Sequence, residues 1–232
     1  MINLPTMLIT GNSSGVGRDL TKFYLSKSFQ IIGCSRHEHD YQSENYRHFI
    51  LDIADEKSVK NMFNHIRKDY GRIDYLINNA GVSSTNYLML VSLKELRKVF
   101  ETNVYGTVLC CREAVKLMKN NNFGRIINFS SIHTKLKING SSIYGSSKSA
   151  IENFSNILAK EIFQYGITVN VLSLSIVSGS GMAKKLSDKI TKKILNNTAS
   201  KTFLKTEDIT NVINFLIDNK SKMITGQNIC LG

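Results

Sequence analysis

The sequence predicts an α/β protein built on a parallel, doubly wound sheet of about seven strands, and three observations carry that prediction. Short apolar runs alternate with segments of helical spacing from one end of the chain to the other. The first apolar run opens directly into a glycine-rich turn. The length, 232 residues, suits one large core and a single domain over residues 1–232. Strands and helices alternating at these lengths pack through right-handed crossovers, with helices on both faces of the sheet.

Met7-Leu8-Ile9-Thr10 reads as the first strand, and Gly11-Asn12-Ser13-Ser14-Gly15-Val16-Gly17 as the turn and helix start behind it. Glycine lets the backbone approach a phosphate, and the free N–H groups of the first helical turn face it. The helix is expected to place Leu20, Phe23, Tyr24 and Ser28 inward. Residues 30–35 form the second strand. An NAD-binding enzyme usually carries an acid at its end, holding the ribose hydroxyls, but Ser35 stands there and Arg36 follows. A carboxylate repels a 2′-phosphate and a guanidinium pairs with one, so NADP(H) is favoured over NAD(H). The competing reading of Arg36 is a solvated loop residue.

Residues 47–51 read as the third strand, closed by Asp52 and Ile53 where an adenine would lie. Val59, Met62, Phe63 and Ile66 give residues 57–68 helical spacing. The fourth strand, 74–78, runs into Asn79-Ala80-Gly81. Residues 93–119 read as one helix with Asn103 near its middle, and 125–129 as the strand leading to Ser131. Residues 132–142 form a loop containing His133, Lys135 and Lys137. Residues 167–172 are the sixth strand, followed by a flexible Ser/Gly segment over 173–181. Met182, Leu186, Ile190 and Ile194 form an apolar stripe opposite Lys184, Lys185, Lys189, Lys192 and Lys193. Thr206 is the expected N-cap of a helix to about 218, and 228–231 is the last strand.

The catalytic chemistry is expected between Ser131 and Lys148. Tyr144 and Lys148 are four apart in a segment of helical spacing, so one turn stacks them on the same face. A phenol titrates near 10 and is by itself a poor acid or base at neutral pH. An ammonium roughly 4–5 Å away, at an effective dielectric of ~20, favours the phenolate by about 3–4 kcal/mol, or about two to three pKa units. Such a tyrosine exchanges protons with an alkoxide near neutral pH. The Ser131 hydroxyl would hold the carbonyl oxygen that the tyrosine protonates.

Composition narrows the class. A hydrophobic content of 42% with 21% charged residues fits a soluble globular protein, and no apolar run approaches the ~20 residues of a membrane span. Residues 1–6 carry no signal-peptide pattern, and Cys34, Cys110, Cys111 and Cys230 have no metal-ligand spacing. The expectation is reduced thiols in a cytoplasmic protein with no metal. The net charge of +12 points to an acidic partner: a phosphorylated cofactor, an anionic substrate or a carrier protein. No nucleic-acid motif or long basic tract is present, so nucleic acid is not the expected partner.

Over essentially its whole length the chain resembles the short-chain dehydrogenase/reductase family. The resemblance rests on Thr10 to Gly17, Asp52, Asn78-Asn79-Ala80-Gly81, Asn103, Ser131, Tyr144, Lys148 and Ile224-Thr225-Gly226-Gln227, in matching order and spacing. It implies a Rossmann-like fold and hydride transfer between nicotinamide and a carbonyl or secondary-alcohol carbon. Tyr144 would be the general acid/base and Ser131 would orient the substrate oxygen. Lys148 would lower the tyrosine pKa and hold the ribose, and Asn103 would anchor a proton-passing water. Gly11, Ser13, Ser14, Gly15, Val16 and Gly17 would line the diphosphate, with Ser35 and Arg36 at the 2′-phosphate. Asp52 and Ile53 would lie along the adenine and Asn79, Ala80 and Gly81 along the ribose, while Asn78 would stabilise the sheet.

One stretch departs from the family. After the sixth strand the usual Pro-Gly and threonine are missing from Ser173 to Gly181, leaving Ser178 or Ser180 to hold the carboxamide. A substrate lid is expected at about 178–205. Its lysines are either a solvated face or an attractor for an anionic substrate. The family's 3-oxoacyl-acyl-carrier-protein reductases are the nearest type, yet Asn122 and Tyr165 stand where those enzymes carry carrier-binding arginines. A catalytically weak NADP(H)-binding regulatory or scaffold protein is the alternative, and a basic interaction platform a third reading. Relatives of this type form homotetramers or homodimers, and Val108, Leu109, Val115, Ile151 and Phe154 would permit such an interface.

Overall fold

The computed structural model describes residues 4–232 except 40, 42, 182 and 184–186. Its centre is a seven-stranded sheet in the order β3-β2-β1-β4-β5-β6-β7, parallel throughout. The strands are β1 Thr6–Thr10, β2 Gln30–Ser35, β3 Tyr46–Ile50, β4 Tyr75–Asn78, β5 Gly124–Ser131, β6 Ile167–Leu174 and β7 Asn228–Leu231. The central strands β1, β5 and β6 are buried along their whole length, as expected of a sheet covered on both faces.

Among the described residues eight α-helices connect and cover them: α1 Gly15–Leu25, α2 Glu56–Tyr70, α3 Leu93–Phe100, α4 Thr107–Met118, α5 His133–Leu136, α6 Ser142–Ile162, α7 Asp188–Asn196 and α8 Thr206–Ile217. Leu20 and Tyr24 of α1 and Ile209, Ile213 and Leu216 of α8 pack against Met7, Ile9, Ile127 and Leu172 on one face. Val59, Met62 and Ile66 of α2, Cys110, Cys111, Ala114, Leu117 and Met118 of α4 and Ala159 and Ile162 of α6 pack against Leu8, Ile32, Leu76 and Val169 on the other. Between β4 and β5, Asn78 Nδ2 donates to Asn128 Oδ1 at 2.8 Å, the structural role expected of Asn78. Among the described residues no helix is long and apolar enough to cross a membrane.

Several local expectations are corrected. Ser28 does not face inward; it is exposed, past the end of α1, at φ 58°. The helix expected over 93–119 is broken by a π-helical segment, Glu101–Gly106, that contains Asn103. Ile151 is buried in the core of its own chain at 1% exposure, so it is unavailable to a second subunit. The segment after β6 is not a loose Ser/Gly run, because Ser173 and Leu174 belong to the strand. Ile176 O then accepts from Leu204 N and Leu204 O from Ser178 N, each at 2.9 Å. Of the stripe expected from 182, Met182, Lys184, Lys185 and Leu186 lie outside the described residues. Helix α7 begins at Asp188, with Ile194 buried and Ile190 37% exposed. Thr206 is the first residue of α8 rather than its cap. Lys205 takes the cap position, and its N–H donates to Asp208 Oδ2 at 2.7 Å.

Candidate active site

A cleft of about 680 Å³ runs along the C-terminal ends of β1, β2, β4, β5 and β6. The order β2-β1-β4 places successive crossovers on opposite sides of β1, and a crevice opens at such a reversal. The turn after β1 forms its floor. Gly11 takes φ 69°, and a Cβ there would sit 2.6 Å from Ala80 Cα, so only glycine lets the turns after β1 and β4 meet. Asn79 Nδ2 donates to the carbonyls of Thr10 and Gly11 at 2.9 and 3.0 Å, fixing the turn from the side. Ser14 precedes α1 in extended conformation, with no side-chain cap to the first turn. The opening N–H groups of α1 therefore remain available to an anion.

Ser13, Ser14, Gly15 and Val16 line this end of the cleft, with Ser35, Arg36, Asp52, Ile53, Ala80 and Gly81 further along. Gly17 does not line it. It is buried where a Cβ would press on Asn79 Nδ2 and lie 2.6 Å from Gly11 O, so it closes α1 onto the turn. The residues fit a dinucleotide: an uncapped helix start with close glycine backbone for the diphosphate, and the Arg36 guanidinium, with no acid beside it, at the end of β2.

Ser131, Tyr144 and Lys148 meet at the other end of the cleft. Tyr144 is 6% exposed and hydrogen-bonds Ser131. Lys148 Nζ donates to Phe129 O at 2.8 Å, which ties α6 to the strand carrying Ser131. Burial pushes Tyr144 above the usual phenol range against a smaller lowering by the Ser131 hydrogen bond, and burial pushes Lys148 down to about 8. Desolvation thus acts, on both groups, against the lowering of the tyrosine that the Lys148 ammonium is expected to supply.

Asn103 is fully buried and outside the cleft lining. Its Oδ1 accepts from Val82 N at 2.8 Å, while Nδ2 donates to Val82 O at 2.9 Å and Ser147 Oγ at 3.0 Å. Its amide thus joins the turn after β4 to α6 between Tyr144 and Lys148. A Cβ on Gly81 would lie 3.3 Å from Asn103 Oδ1 and 3.4 Å from Lys148 Nζ, so the three residues converge.

Three features had no reading as site residues in the sequence. His133 stacks edge-on to Tyr144 with ring centroids 5.4 Å apart, and its only signal was nearness to Ser131. Glu152, one turn beyond Lys148, accepts from Ser130 Oγ and Thr134 Oγ1 at 2.7 Å and Ser173 Oγ at 3.1 Å. Glu95, Lys98, Val99 and Thr102 bring α3 and the π-helical segment to the cleft wall. Of the two serines that might replace the missing threonine, Ser180 lines the cleft and Ser178 does not.

The family model for short chain dehydrogenase matches residues 5–191. The 3-oxoacyl-(acyl-carrier-protein) reductase FabG of Escherichia coli K12 is 28% identical over 228 residues, 96% of this chain and 93% of the relative. That of Buchnera aphidicola subsp. Schizaphis graminum is 32% identical over 234 residues, 98% and 96%. Among solved structures, ElxO with NADP bound superposes with a TM-score of 0.89 at 28% identity, covering 98% of this chain and 96% of that one.

Proposed function

The chain belongs to the short-chain dehydrogenase family and is an NAD(P)-dependent oxidoreductase; from that premise we propose that it is an NADP(H)-dependent reductase of a carbonyl substrate carrying an anionic group, with a 3-oxoacyl thioester as the leading class. The observation that carries the reading is the buried Tyr144, hydrogen-bonded to Ser131 inside the cleft. Nicotinamide held in the cleft would supply the hydride for the carbonyl carbon. Ser131 holds the carbonyl oxygen, and Tyr144 O–H delivers the proton as charge develops on it. Lys148, anchored to Phe129 O, holds the ribose side of the cleft, and Asn103 fixes the turn and helix between which the lysine reaches it.

Arg36 and Ser35 at the end of β2 support NADP(H), as does the NADP in the similar ElxO structure. Ser180 is the hydroxyl assigned to the carboxamide. For the substrate, the names of the FabG relatives support a thioester, and exposed Lys135, Lys137, Lys189, Lys192 and Lys193 around α5 and α7 support an anion. A lid over about 178–205 fits Ile194, which lines the cleft from α7. The free cysteines, three of them buried, support a cytoplasmic location.

The test is Tyr144→Phe on a carbonyl panel with NADPH. Turnover should fall by about 10²–10⁴-fold while NADPH affinity stays within about twofold, the lost hydroxyl having little part in cofactor binding. Equal turnover by wild type and variant rejects the catalytic assignment and favours a cofactor-binding scaffold. For the anionic substrate, kcat/KM toward acetoacetyl-coenzyme A should fall with salt, and a flat response removes the lysine steering.

A further inference from the structure

The edge of the sheet beside Arg36 carries a chain of hydrogen bonds that no part of the reaction uses. Asn12 Nδ2, in the glycine-rich turn, donates to Tyr46 Oη at 2.7 Å, and Tyr46 Oη lies 2.8 Å from His48 Nδ1. His48 Nε2 lies 3.0 Å from His37 O and 3.2 Å from Ser35 Oγ. Ser35 Oγ itself donates to His37 O at 2.6 Å.

The carbonyl end sets the direction of this chain. A carbonyl oxygen only accepts, so His48 Nε2 carries the proton that meets His37 O. In the neutral ring Nδ1 is then bare and accepts the Tyr46 hydroxyl proton. Tyr46 Oη, having given its proton away, accepts from Asn12 Nδ2. The neutral ring is the form favoured here, since burial lowers His48 below its usual range. At Gly33, paired with His48 across β2 and β3, a Cβ would press on Asn12 Nδ2 and lie 2.6 Å from Tyr46 Oη. The bare glycine leaves the space in which the chain passes.

The relay thus links the turn assigned to the diphosphate with Ser35 and His37, which flank Arg36 and line the cleft with it. We propose that His48 is a positioning residue for cofactor choice, holding the Ser35–His37 turn through its Nε2–H so that Arg36 is presented to a 2′-phosphate. The inference rests on the NADP(H) reading. A cofactor ending in a 2′-hydroxyl has no phosphate for this turn to hold and depends on the relay far less.

The test is fluorescence titration of NADPH and NADH into the wild type, His48→Phe, His48→Gln and Tyr46→Phe, with the His48 tautomer read by ¹⁵N NMR in the wild type. NADPH affinity should drop by about tenfold in His48→Phe, the weight of one lost hydrogen bond, and NADH affinity by about twofold or less. Tyr46→Phe should act in the same direction, and His48→Gln, whose amide can still donate to His37 O, should recover most of the loss. The NMR signature should be the Nε2–H tautomer. Equal weakening of both cofactors means His48 is merely structural, and unchanged NADPH affinity or an Nδ1–H tautomer also overturns the proposal. A wild type that binds NADH as tightly as NADPH rejects the cofactor reading instead, and the tautomer still reports whether the relay exists.

Discussion

Lys148 Nζ sits 2.8 Å from the carbonyl oxygen of Phe129, two residues before Ser131 on the same strand. This bond holds a 5% exposed residue inside the cleft wall, and that burial pushes its amine down from the usual lysine range.

The unfolded lysine keeps its proton up to 10.5, whereas the buried one gives it up near 8. Between those values the unfolded chain binds more protons, so wild-type stability gains from this group as pH climbs through the window. Below it the buried charge is a standing cost. Lys148→Met should flatten that rise, the difference between the two proteins amounting to roughly 2–3 kcal/mol at most. Urea unfolding of both near neutral pH and at about pH 10 checks it; parallel curves would show that the amine is not desolvated.

Tyr144, raised by burial, stays protonated through neutral pH. Reduction, which consumes that proton, should be insensitive to pH there, and alcohol oxidation, which needs the phenolate, should climb steadily toward alkaline pH. Initial rates in both directions at saturating cofactor settle it, and an oxidation rate already level at neutral pH contradicts the assignment.

Glu152 gathers hydroxyl protons from Ser130, Thr134 and Ser173 and an amide hydrogen bond from Asn228. Burial raises its carboxyl, but these bonds outweigh that and leave it below its usual value. Its contribution is therefore full above 4.5 and fades as pH falls through the lowered folded value. Glu152→Ala should cost about 1–3 kcal/mol by stranding the Ser130 hydroxyl, since Thr134 and Ser173 keep Ser131 O and Asn228 Oδ1 as acceptors, and Glu152→Gln clearly less. Thermal unfolding of the two variants measures it; equal losses would mean that the packing of the side chain, not its acceptor oxygens, matters.

Ser180 and Ser178 should separate cleanly. Ser178 pairs its backbone with Leu204 away from the cleft, and Ser180 lines the wall against Gly15. Ser180→Ala should raise the cofactor KM by about three- to tenfold, the scale of one hydrogen bond, and Ser178→Ala should leave it unchanged. Steady-state kinetics in NADPH decides between them.

Much of the fold was legible because its signals are local. The strand, glycine turn and helix start at 7–17 declare themselves by spacing, as do the four-residue step from Tyr144 to Lys148 and the apolar face of α2. The π-helical segment around Asn103 escaped notice because its periodicity differs from an α-helix by a single residue over six. The N-terminus of α8 was placed one residue late because Thr206 looks like a cap, while Lys205 holds that position through its backbone.

By itself the sequence determined the order of strands and helices, the family, and which residues stand at the strand ends facing the cleft. Those follow from side-chain pattern and from motif residues at fixed separations along the chain. Only the tertiary structure decided the desolvation of Tyr144 and Lys148, the burial of Ile151, the Glu152 acceptor and the relay from Asn12 to His37. Each depends on how much water is removed from a group, or on partners far away in sequence such as Asn12 and Tyr46, 34 residues apart. Desolvation and long-range contact arise from packing, and a linear pattern does not encode them.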